Sequence, residues 1–268
     1  MLRDPYQTDE WAKIKQEYGF EILKAGNTYL YVQRTPLGNF ADIQFPLDDE
    51  DVVGRELRRI KPIFLSIFND PQYSGCSFDR YGRLQEKIAF KVDLTPSVQQ
   101  LCDNLKKQNR NAIRQAEKKG CEFRKGTTDS DFESFYRLYS ELAKLKQFGI
   151  LKKELMRRVF SSPIASLYIT YANGEPAAVA FVLFSDTVAR FWYGAGAPEF
   201  YAFRPSNFLH WNIMLEAKSK GCTYYDLSTA SKDNIFKASF GSQPCQQEAI
   251  VHSTLRSRLI KMVASVVR

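Results

Sequence analysis

Residues 188–241 read VARFWYGAGAPEFYAFRPSNFLHWNIMLEAKSKGCTYYDLSTASKDNIFKASFG and decide the fold. Their pattern predicts a strand that ends in a Tyr-Gly-Ala-Gly turn, a helix at 206–220 and a short strand at 223–227. A Phe236-Lys237 pair follows. Open α/β sheets bind their ligands at strand ends, where the polar and aromatic residues of this stretch gather. The stretch therefore predicts a ligand site at the end of a sheet strand.

The rest of the chain alternates helices with strands. Apolar residues recur every three or four positions in the predicted helices, and they alternate or run together in the predicted strands. The predicted helices are 8–18, 48–60, 97–119, 129–145 and 151–160. The predicted strands are 20–24, 28–35, 40–45, 62–68, 84–94, 121–126, 165–172, 176–184, 188–194 and 248–252, and 236–240 is a short helix or turn. Such alternation is typical of an α/β fold.

Composition limits the class of protein. The 268 residues are 44% hydrophobic and 14% aromatic, which provides a substantial core and excludes a largely disordered chain. A formal charge of +8 and a pI near 9.1 favour anionic partners such as nucleic acid, nucleotides or a lipid surface. The N-terminus lacks the apolar core of a signal peptide, and no apolar run reaches the ~18 residues of a membrane span. We expect a cytoplasmic protein, at most peripheral to a membrane.

Cysteine and histidine spacing argues against metal and triad chemistry. The five cysteines are scattered, and none forms a Cys-x-x-Cys pair. This predicts neither a zinc site nor a disulfide framework, and it suits a reducing compartment. The two histidines, His210 and His252, lie on apolar elements, and we expect both to be structural. The sequence predicts no metal site and no Ser/His/Asp triad.

A basic segment, LKKQNRNAIRQAEKKG, lies in the predicted helix 97–119 and holds six basic residues against one acid. Lys106, Arg110 and Arg114 are four residues apart and share one helical face, and Lys107 is adjacent. Such a face suits contacts with phosphates, so these four residues are candidates for binding nucleic acid. The alternative is the solvated outer face of a linking helix.

The order of elements from residue 121 is strand, two helices, three antiparallel strands, helix, strand, short helix and strand. This order resembles the acyltransferase fold related to N-acetyltransferases (GNAT), and the first half resembles a degenerate copy of it. We expect an α/β (α+β) protein of two such units, each with a mixed, mostly antiparallel sheet flanked by helices. The expected domains are 1–96, degenerate, and 121–268, the acyltransferase domain, joined by the basic helix 97–120.

Four segments in this order resemble the Fem-type aminoacyltransferases: QEKIAFKVDLT (85–95), KKQNRNAIRQAEKKGCEFR (106–124), WYGAGAPEFYAFRPSNFLHWNIMLEAKSKGCTYYDLS (192–228) and IFKASFG (235–241). The resemblance covers about residues 62–241. It implies a bacterial enzyme that moves an aminoacyl group from aminoacyl-tRNA to a side-chain amine of a UDP-linked or lipid-linked peptidoglycan precursor. It implies no cofactor beyond the tRNA-borne donor, and we expect a monomer.

In that family a late Phe-Lys pair matters for transfer, and here it falls on Phe236 and Lys237. Aminolysis of an activated ester develops negative charge on the carbonyl oxygen and on the leaving ribose oxygen, and a fixed cation such as Lys237 lowers that barrier. Phe236 can stack on the terminal adenine of the tRNA. The weaker candidates for substrate binding flank the strand end and the helix start: Tyr193, Arg204, Ser206 (also the expected helix N-cap), Asn207, Trp211 and Asp226.

Two other functions fit the sequence. An N-acyltransferase that uses acyl-CoA or an acyl carrier protein would share the fold. Coenzyme A pyrophosphate is usually held by backbone amides of a glycine-rich turn, whereas residues 200–207 contain a proline and no glycine, which counts against the CoA form. A non-catalytic nucleic-acid-binding module built on the basic helix is the third possibility.

The tail beyond Glu248 contains no acidic residue. A basic amphipathic helix can lie on an anionic membrane, which would suit a lipid-linked acceptor, and docking against its own domain is the alternative. The apolar stripe and flanking basic residues of the predicted helix are Leu255, Leu259, Met262 and Val266 with Arg256, Arg258, Lys261 and Arg268.

Overall fold

The computed structural model describes residues 3–70, 75–255 and 257. The chain forms two compact units, one built from residues up to 88 and from 246 onward, the other from residues 89–245. Among the described residues, no helix is both long and apolar enough to cross a membrane. The predicted tail helix lies almost entirely outside the described residues, including Arg256, Arg258, Leu259, Lys261, Met262, Val266 and Arg268.

The first unit packs two helices on a mostly antiparallel sheet. Thr8 and Asp49 accept hydrogen bonds from the first-turn amides of the two helices and so fix where each begins. The strand order is β1-β2-β3-β4-β11, with β3 and β4 parallel. Its elements are α1 (Asp9–Glu17), β1 (Glu21–Ala25), β2 (Thr28–Thr35), β3 (Gly38–Gln44), α2 (Glu50–Ile60), β4 (Phe64–Asn69) and most of β11 (Gln243–Ser253).

The second unit has the strand order β5-β10-β9-β8-β7-β6, and helices flank its sheet. Strands β6 to β9 pair antiparallel with their neighbours, whereas β10 runs parallel to β9. The elements are the end of β5 (Arg83–Asp93), α3 (Val98–Asn104), α4 (Lys107–Lys118), β6 (Glu122–Gly126), α5 (Asp129–Lys146), α6 (Lys153–Phe160), β7 (Ala165–Ala172), β8 (Glu175–Phe184), β9 (Val188–Gly196), α7 (Pro205–Ser219), β10 (Tyr224–Ala230) and α8 (Ile235–Ala238). The predicted α/β class, with mostly antiparallel sheets flanked by helices, is confirmed.

Strands β9 and β10 pair over only three residues each. The parallel register runs from Val188 and Tyr224 to Arg190 and Asp226 and then ends. Strand β9 continues to Gly196 along β8. Because the two strands part beyond the paired residues, a gap opens between them within the sheet, and this gap positions the candidate site.

The helix predicted at 97–119 is two helices. Leu105 has an extended backbone (φ −60°, ψ 141°), and the break buries its side chain. The amide of Lys106 then donates to the carbonyl of Ser239 over 2.9 Å. The basic helix α4 also lies within the second unit. A long-range backbone bond and the burial of one leucine thus interrupt a segment whose local pattern is helical throughout.

The predicted N-cap at Ser206 is wrong. Helix α7 begins at Pro205, and the residue before it, Arg204, has the left-handed backbone (φ 60°) and makes no side-chain cap. Proline is favoured at the first helical position because its missing amide proton would have no intrahelical partner there. Ser206 therefore lies inside the first turn.

Candidate active site

A cleft of about 640 Å³ lies in the second unit where β9 and β10 part. Its walls come from β9, β10, α7 and α8, with the end of α5 at one side. The residues that line it include Gly194, Gly196, Ser206, His210, Phe236 and Lys237. Three predicted site residues, Ser206, Phe236 and Lys237, thus line one cavity.

Gly194 has no room for a side chain. A Cβ atom there would lie 2.6 Å from the carbonyl oxygen of Val179 and 2.7 Å from the Phe191 ring. The wall of the cleft at this point is therefore backbone, because only glycine allows β8, β9 and the Phe191 ring to approach so closely.

Lys237 is held at the cleft by short-range contacts. Its backbone amide donates to the side chain of Asn234 over 2.8 Å, which caps the short helix α8. Its ammonium donates to the carbonyl oxygens of Thr229 (2.9 Å) and Ser228 (3.2 Å) on β10. Burial lowers the pKa of Lys237 to about 8, partly opposed by the charge of Asp226. An ammonium has three donors, so within the described part of the chain these two bonds leave one N–H for a ligand.

Asp226 lies beneath the cleft and does not line it. It is fully buried, and its Oδ2 is 3.1 Å from the guanidinium of Arg190, a charge contact without hydrogen-bond alignment. Its Oδ1 accepts from the amide of Ser228 over 2.6 Å. Ser228 has a left-handed backbone (φ 66°), and its carbonyl bonds Lys237. Asp226 therefore supports the strand that holds the lysine.

His210 lines the cleft, which sequence reasoning missed by treating it only as structural. Its Nδ1 is 2.7 Å from the hydroxyl of Tyr225, and edge-on aromatic contacts at 5.0–5.6 Å surround the ring. Burial, followed by the charge of Lys237, lowers the pKa of His210 to about 3. The sequence did contain a signal for this position. His210 lies four residues after Ser206 in the predicted helix, so the two side chains share one helical face.

A second groove of about 600 Å³ adjoins the cleft, and Phe236 lines both. The predicted residues Arg204 and Asn207 lie in this groove. Asn207 donates to the side chain of Asn109 over 2.8 Å, and Asn109 in turn donates to the carbonyl of Ser239 over 3.1 Å. The lining is rich in carboxamides: Gln108, Asn109, Asn111, Gln115 and Asn207.

Tyr193 and Trp211 are not among the residues that line either cavity. Tyr193 packs edge-on against Tyr139 with ring centres 5.2 Å apart, and burial raises its pKa to about 12. Trp211 lines a pocket of about 120 Å³ together with Arg110 and Arg114. The structure thus separates these two aromatic residues from Lys237.

The predicted nucleic-acid-binding residues of α4 differ in their surroundings. Arg110 is half-buried and donates to the carbonyl oxygens of Asp103 (2.9 Å) and Leu105, so it closes the end of α3. Lys106, Lys107 and Arg114 have exposed side chains. Three of the four predicted residues therefore face solvent, and the fourth holds the preceding helix.

Comparison with known proteins identifies the fold. Among curated proteins, no significant sequence relative was found. The structure is similar to that of FemX (TM-score 0.70, 13% identity, 97% of this chain and 94% of FemX covered). It is also similar to the C-terminal domain of a putative lysylphosphatidylglycerol synthetase from Agrobacterium fabrum (0.66, 14%, 96% and 92%) and to L-PGS from Bacillus licheniformis (0.61, 12%, 96% and 95%). At these identities the likeness concerns the fold, and it agrees with the fold that the Fem-type resemblance implies.

The sequence of the second unit carries the family signal. The model of the acetyltransferase (GNAT) domain matches residues 103–238, which include α4, the cleft and the Phe236-Lys237 pair. The match spans slightly more than half of the 268 residues. The chain therefore belongs to the acetyltransferase (GNAT) domain family.

Proposed function

We propose that the protein is an acyltransferase that moves an aminoacyl group from aminoacyl-tRNA to an amine of a peptidoglycan precursor. The observation that carries the proposal is the position of Lys237, a partly buried ammonium in the cleft between the parted strands. The fold shared with FemX, with the C-terminal domain of the putative lysylphosphatidylglycerol synthetase and with L-PGS supports it. The resemblance of residues 62–241 to Fem-type enzymes supplies the donor and acceptor classes.

Lys237 suits an electrostatic role in ester aminolysis. The acceptor amine attacks the ester carbonyl carbon, a C–N bond forms, and the π electrons move to the oxygen. The C–O bond to the ribose then breaks, and the ribose oxygen receives the proton that the amine loses. Negative charge develops on both oxygens, and the third N–H of Lys237 can bond one of them without any rearrangement of the site. Since the ammonium is committed to Ser228 and Thr229, it stabilises charge and does not attack.

The two adjoining cavities suit the two parts of the donor. The cleft, with the rings of Phe191 and His210 in its lining, accommodates the aminoacyl group. Phe236, which is 38% exposed, lies between cleft and groove, where its face can stack on the terminal adenine of tRNA. Carboxamides such as Asn111 and Gln108 in the groove offer donors and acceptors to the base edge and the ribose. The exposed cations of α4 are then available to phosphates farther along the acceptor stem.

The second candidate is transfer of an acyl group from acyl-CoA, which the GNAT family match favours. Pyrophosphate binding at the start of α7 would need free amides there. Pro205 provides none, and the amide of the preceding residue, Arg204, already donates to the carbonyl of Tyr201 over 3.1 Å. These two positions therefore offer no amide to a pyrophosphate, which counts against CoA as the donor.

One assay distinguishes the candidates. The full chain is incubated with UDP-linked muramyl pentapeptide, or with the lipid-linked precursor in vesicles, and either a mixture of aminoacyl-tRNAs or acetyl-CoA. We expect the acceptor mass to rise by one aminoacyl residue with charged tRNA only, and Lys237→Ala to slow this gain by about 10²–10³-fold. An acetyl gain with acetyl-CoA, or no gain with any aminoacyl-tRNA, would overturn the proposal.

A further inference from the structure

His210 is a buried histidine with one ring nitrogen engaged. Its exposed fraction is 6%, and its Nδ1 lies 2.7 Å from the Tyr225 hydroxyl. Tyr225 is fully buried, and among the described residues its hydroxyl makes this one hydrogen bond. A buried hydroxyl that accepted from Nδ1–H would leave its own proton without an acceptor, which costs about 1–3 kcal/mol. The tyrosine therefore donates to Nδ1, and the ring proton resides on Nε2.

The surroundings keep this ring neutral and largely shielded from solvent. Phe191, Phe236 and Phe240 contact it edge-on, with ring centres 5.0, 5.6 and 5.5 Å away. Lys237 is the nearby cation, and its charge opposes protonation of the imidazole. A neutral imidazole in an apolar site cannot release its proton readily, but it is an effective hydrogen-bond donor because few water molecules compete with it.

We propose that the Nε2–H of His210 donates a hydrogen bond to the carbonyl oxygen of the acyl group in the cleft, while the ammonium of Lys237 stabilises the leaving ribose oxygen. The inference rests on the proposed acyl transfer and adds a catalytic residue to it. His210 lines the same cleft as Lys237, and Tyr225 acts through it as a positioning residue.

The division of roles follows from the charges. When the amine adds to the carbonyl carbon, the oxygen gains the π electron pair and its bond to Nε2–H strengthens. When the C–O bond breaks, the carbonyl reforms and the leaving ribose oxygen carries the negative charge. Lys237 stabilises this charge until the ribose oxygen takes the proton that the amine loses. His210 neither gains nor loses a proton in this sequence. A fixed donor of this kind typically contributes about 10²–10³-fold to the rate.

The tautomer can be measured without any turnover. The full chain is labelled with ¹⁵N-histidine, and His252→Gln, which changes an exposed residue of the first unit, isolates the His210 signals. At pH 7 we expect the Nε2–H tautomer. A puromycin-type analogue, in which an amide replaces the ester of aminoacyl-adenosine, should shift the Nε2–H resonance downfield. An Nδ1–H tautomer, or an Nε2–H signal that moves with neither this analogue nor a non-transferable acyl-CoA analogue, overturns the role of His210.

If the donor is not aminoacyl-tRNA, the two analogues give a different pattern of shifts. A signal that moves only with the acyl-CoA analogue retains the His210 role and overturns the aminoacyl donor. In the transfer assay, His210→Leu should lower kcat about 10²–10³-fold with little change in KM. His210→Gln, which restores an N–H near Nε2, should regain about tenfold or more of that loss, and Tyr225→Phe should lower kcat and abolish the tautomer preference. Equal activities of the Leu and Gln variants would contradict a donor at this position.

Discussion

Arg190 and Asp226 form a buried ion pair across the last residues that join β9 to β10. Their charged atoms are 3.1 Å apart, and the exposed fractions of the two side chains are 4% and 0%. The pair thus lies at the point where the strands part and the cleft begins. The carboxylate of Asp226 also accepts a hydrogen bond from the amide of Ser228, whose carbonyl holds Lys237. Asp226 therefore links the point where the strands part to the position of the lysine.

Removing the carboxylate should therefore be costly. We expect Asp226→Ala to lower the free energy of unfolding by about 3–5 kcal/mol, since it removes a fully buried carboxylate that lies 3.1 Å from the buried Arg190 cation. Urea unfolding measures the change. Glu199→Ala, at an exposed position outside the cleft, should change stability by less than about 0.5 kcal/mol. A decrease below about 1 kcal/mol in Asp226→Ala would show that Arg190 finds other compensation.

Lys237 is expected to affect the rate more than the fold. Lys237→Ala should reduce kcat by about 10²–10³-fold, because the variant lacks one charged donor to the reacting oxygens. Its far-UV circular dichroism should be unchanged. Lys232→Ala, which removes an exposed lysine from the same loop, should retain full activity. Wild-type activity in Lys237→Ala would contradict the electrostatic role.

The lowered pKa of Lys237 makes the activity depend on pH. Transfer needs the ammonium, so the kcat of wild type relative to Lys237→Arg should fall as the pH rises through about 8. The ratio cancels the deprotonation of the acceptor amine, which ordinarily occurs near pH ~10.4 and raises both rates. Arginine stays protonated, so Lys237→Arg should retain less activity but lose the falling limb. A falling limb that persists at the same pH in Lys237→Arg would assign it to another group.

The free energy of unfolding should also depend on pH through the titration of Lys237. The folded pKa of about 8 is below the ordinary value of 10.5, so between these values the unfolded chain binds more protons. Burial of the charge therefore destabilises the fold below pH 8, and the penalty decreases as the pH rises from 8 to 10.5. The unfolding free energy of wild type relative to Lys237→Met should rise over this interval. A flat difference would contradict the pKa shift.

Gly194 is expected to tolerate no side chain. Gly194→Ala should lower the unfolding free energy by about 1–3 kcal/mol, because its Cβ would overlap the Val179 carbonyl and the Phe191 ring. The matched control is Gly149→Ala, whose Cβ would meet no atom within 4 Å. Thermal unfolding of the two variants tests the contrast, and equal Tm values would contradict the close packing of the wall.

The exposed cations of α4 should govern the salt dependence of tRNA binding. Charge removal in Lys107→Gln with Arg114→Gln should reduce the slope of log K against log salt by about 0.7–0.9 for each phosphate that the variant no longer neutralises. Lys125→Gln with Lys144→Gln removes two exposed charges elsewhere and should leave the slope unchanged. Filter binding over a range of salt concentrations measures both. An unchanged slope in the α4 variant would remove this helix from the binding surface.

The sequence by itself determined the fold class and, apart from the split of the helix predicted at 97–119, the element order. Local signals suffice for this: Thr8 and Asp49 begin helices, Asn173-Gly174 turns a hairpin, and apolar periodicity separates helices from strands. The segment 165–172 is a strand with its predicted bounds. Such signals act over a few residues, so they can be recognised without the tertiary structure.

The tertiary structure decided which of the candidates share a cavity. The cleft lies where the β9–β10 pairing ends, and it is lined by Ser206, Phe236 and Lys237. Arg204 and Asn207 line the adjoining groove instead. A long-range bond between Lys106 and Ser239 splits the basic helix. His210 lines the cleft, and Tyr225, fifteen residues away, engages its Nδ1. These outcomes depend on contacts between residues that are far apart in sequence. Local sequence patterns carry no information on the energies of such contacts.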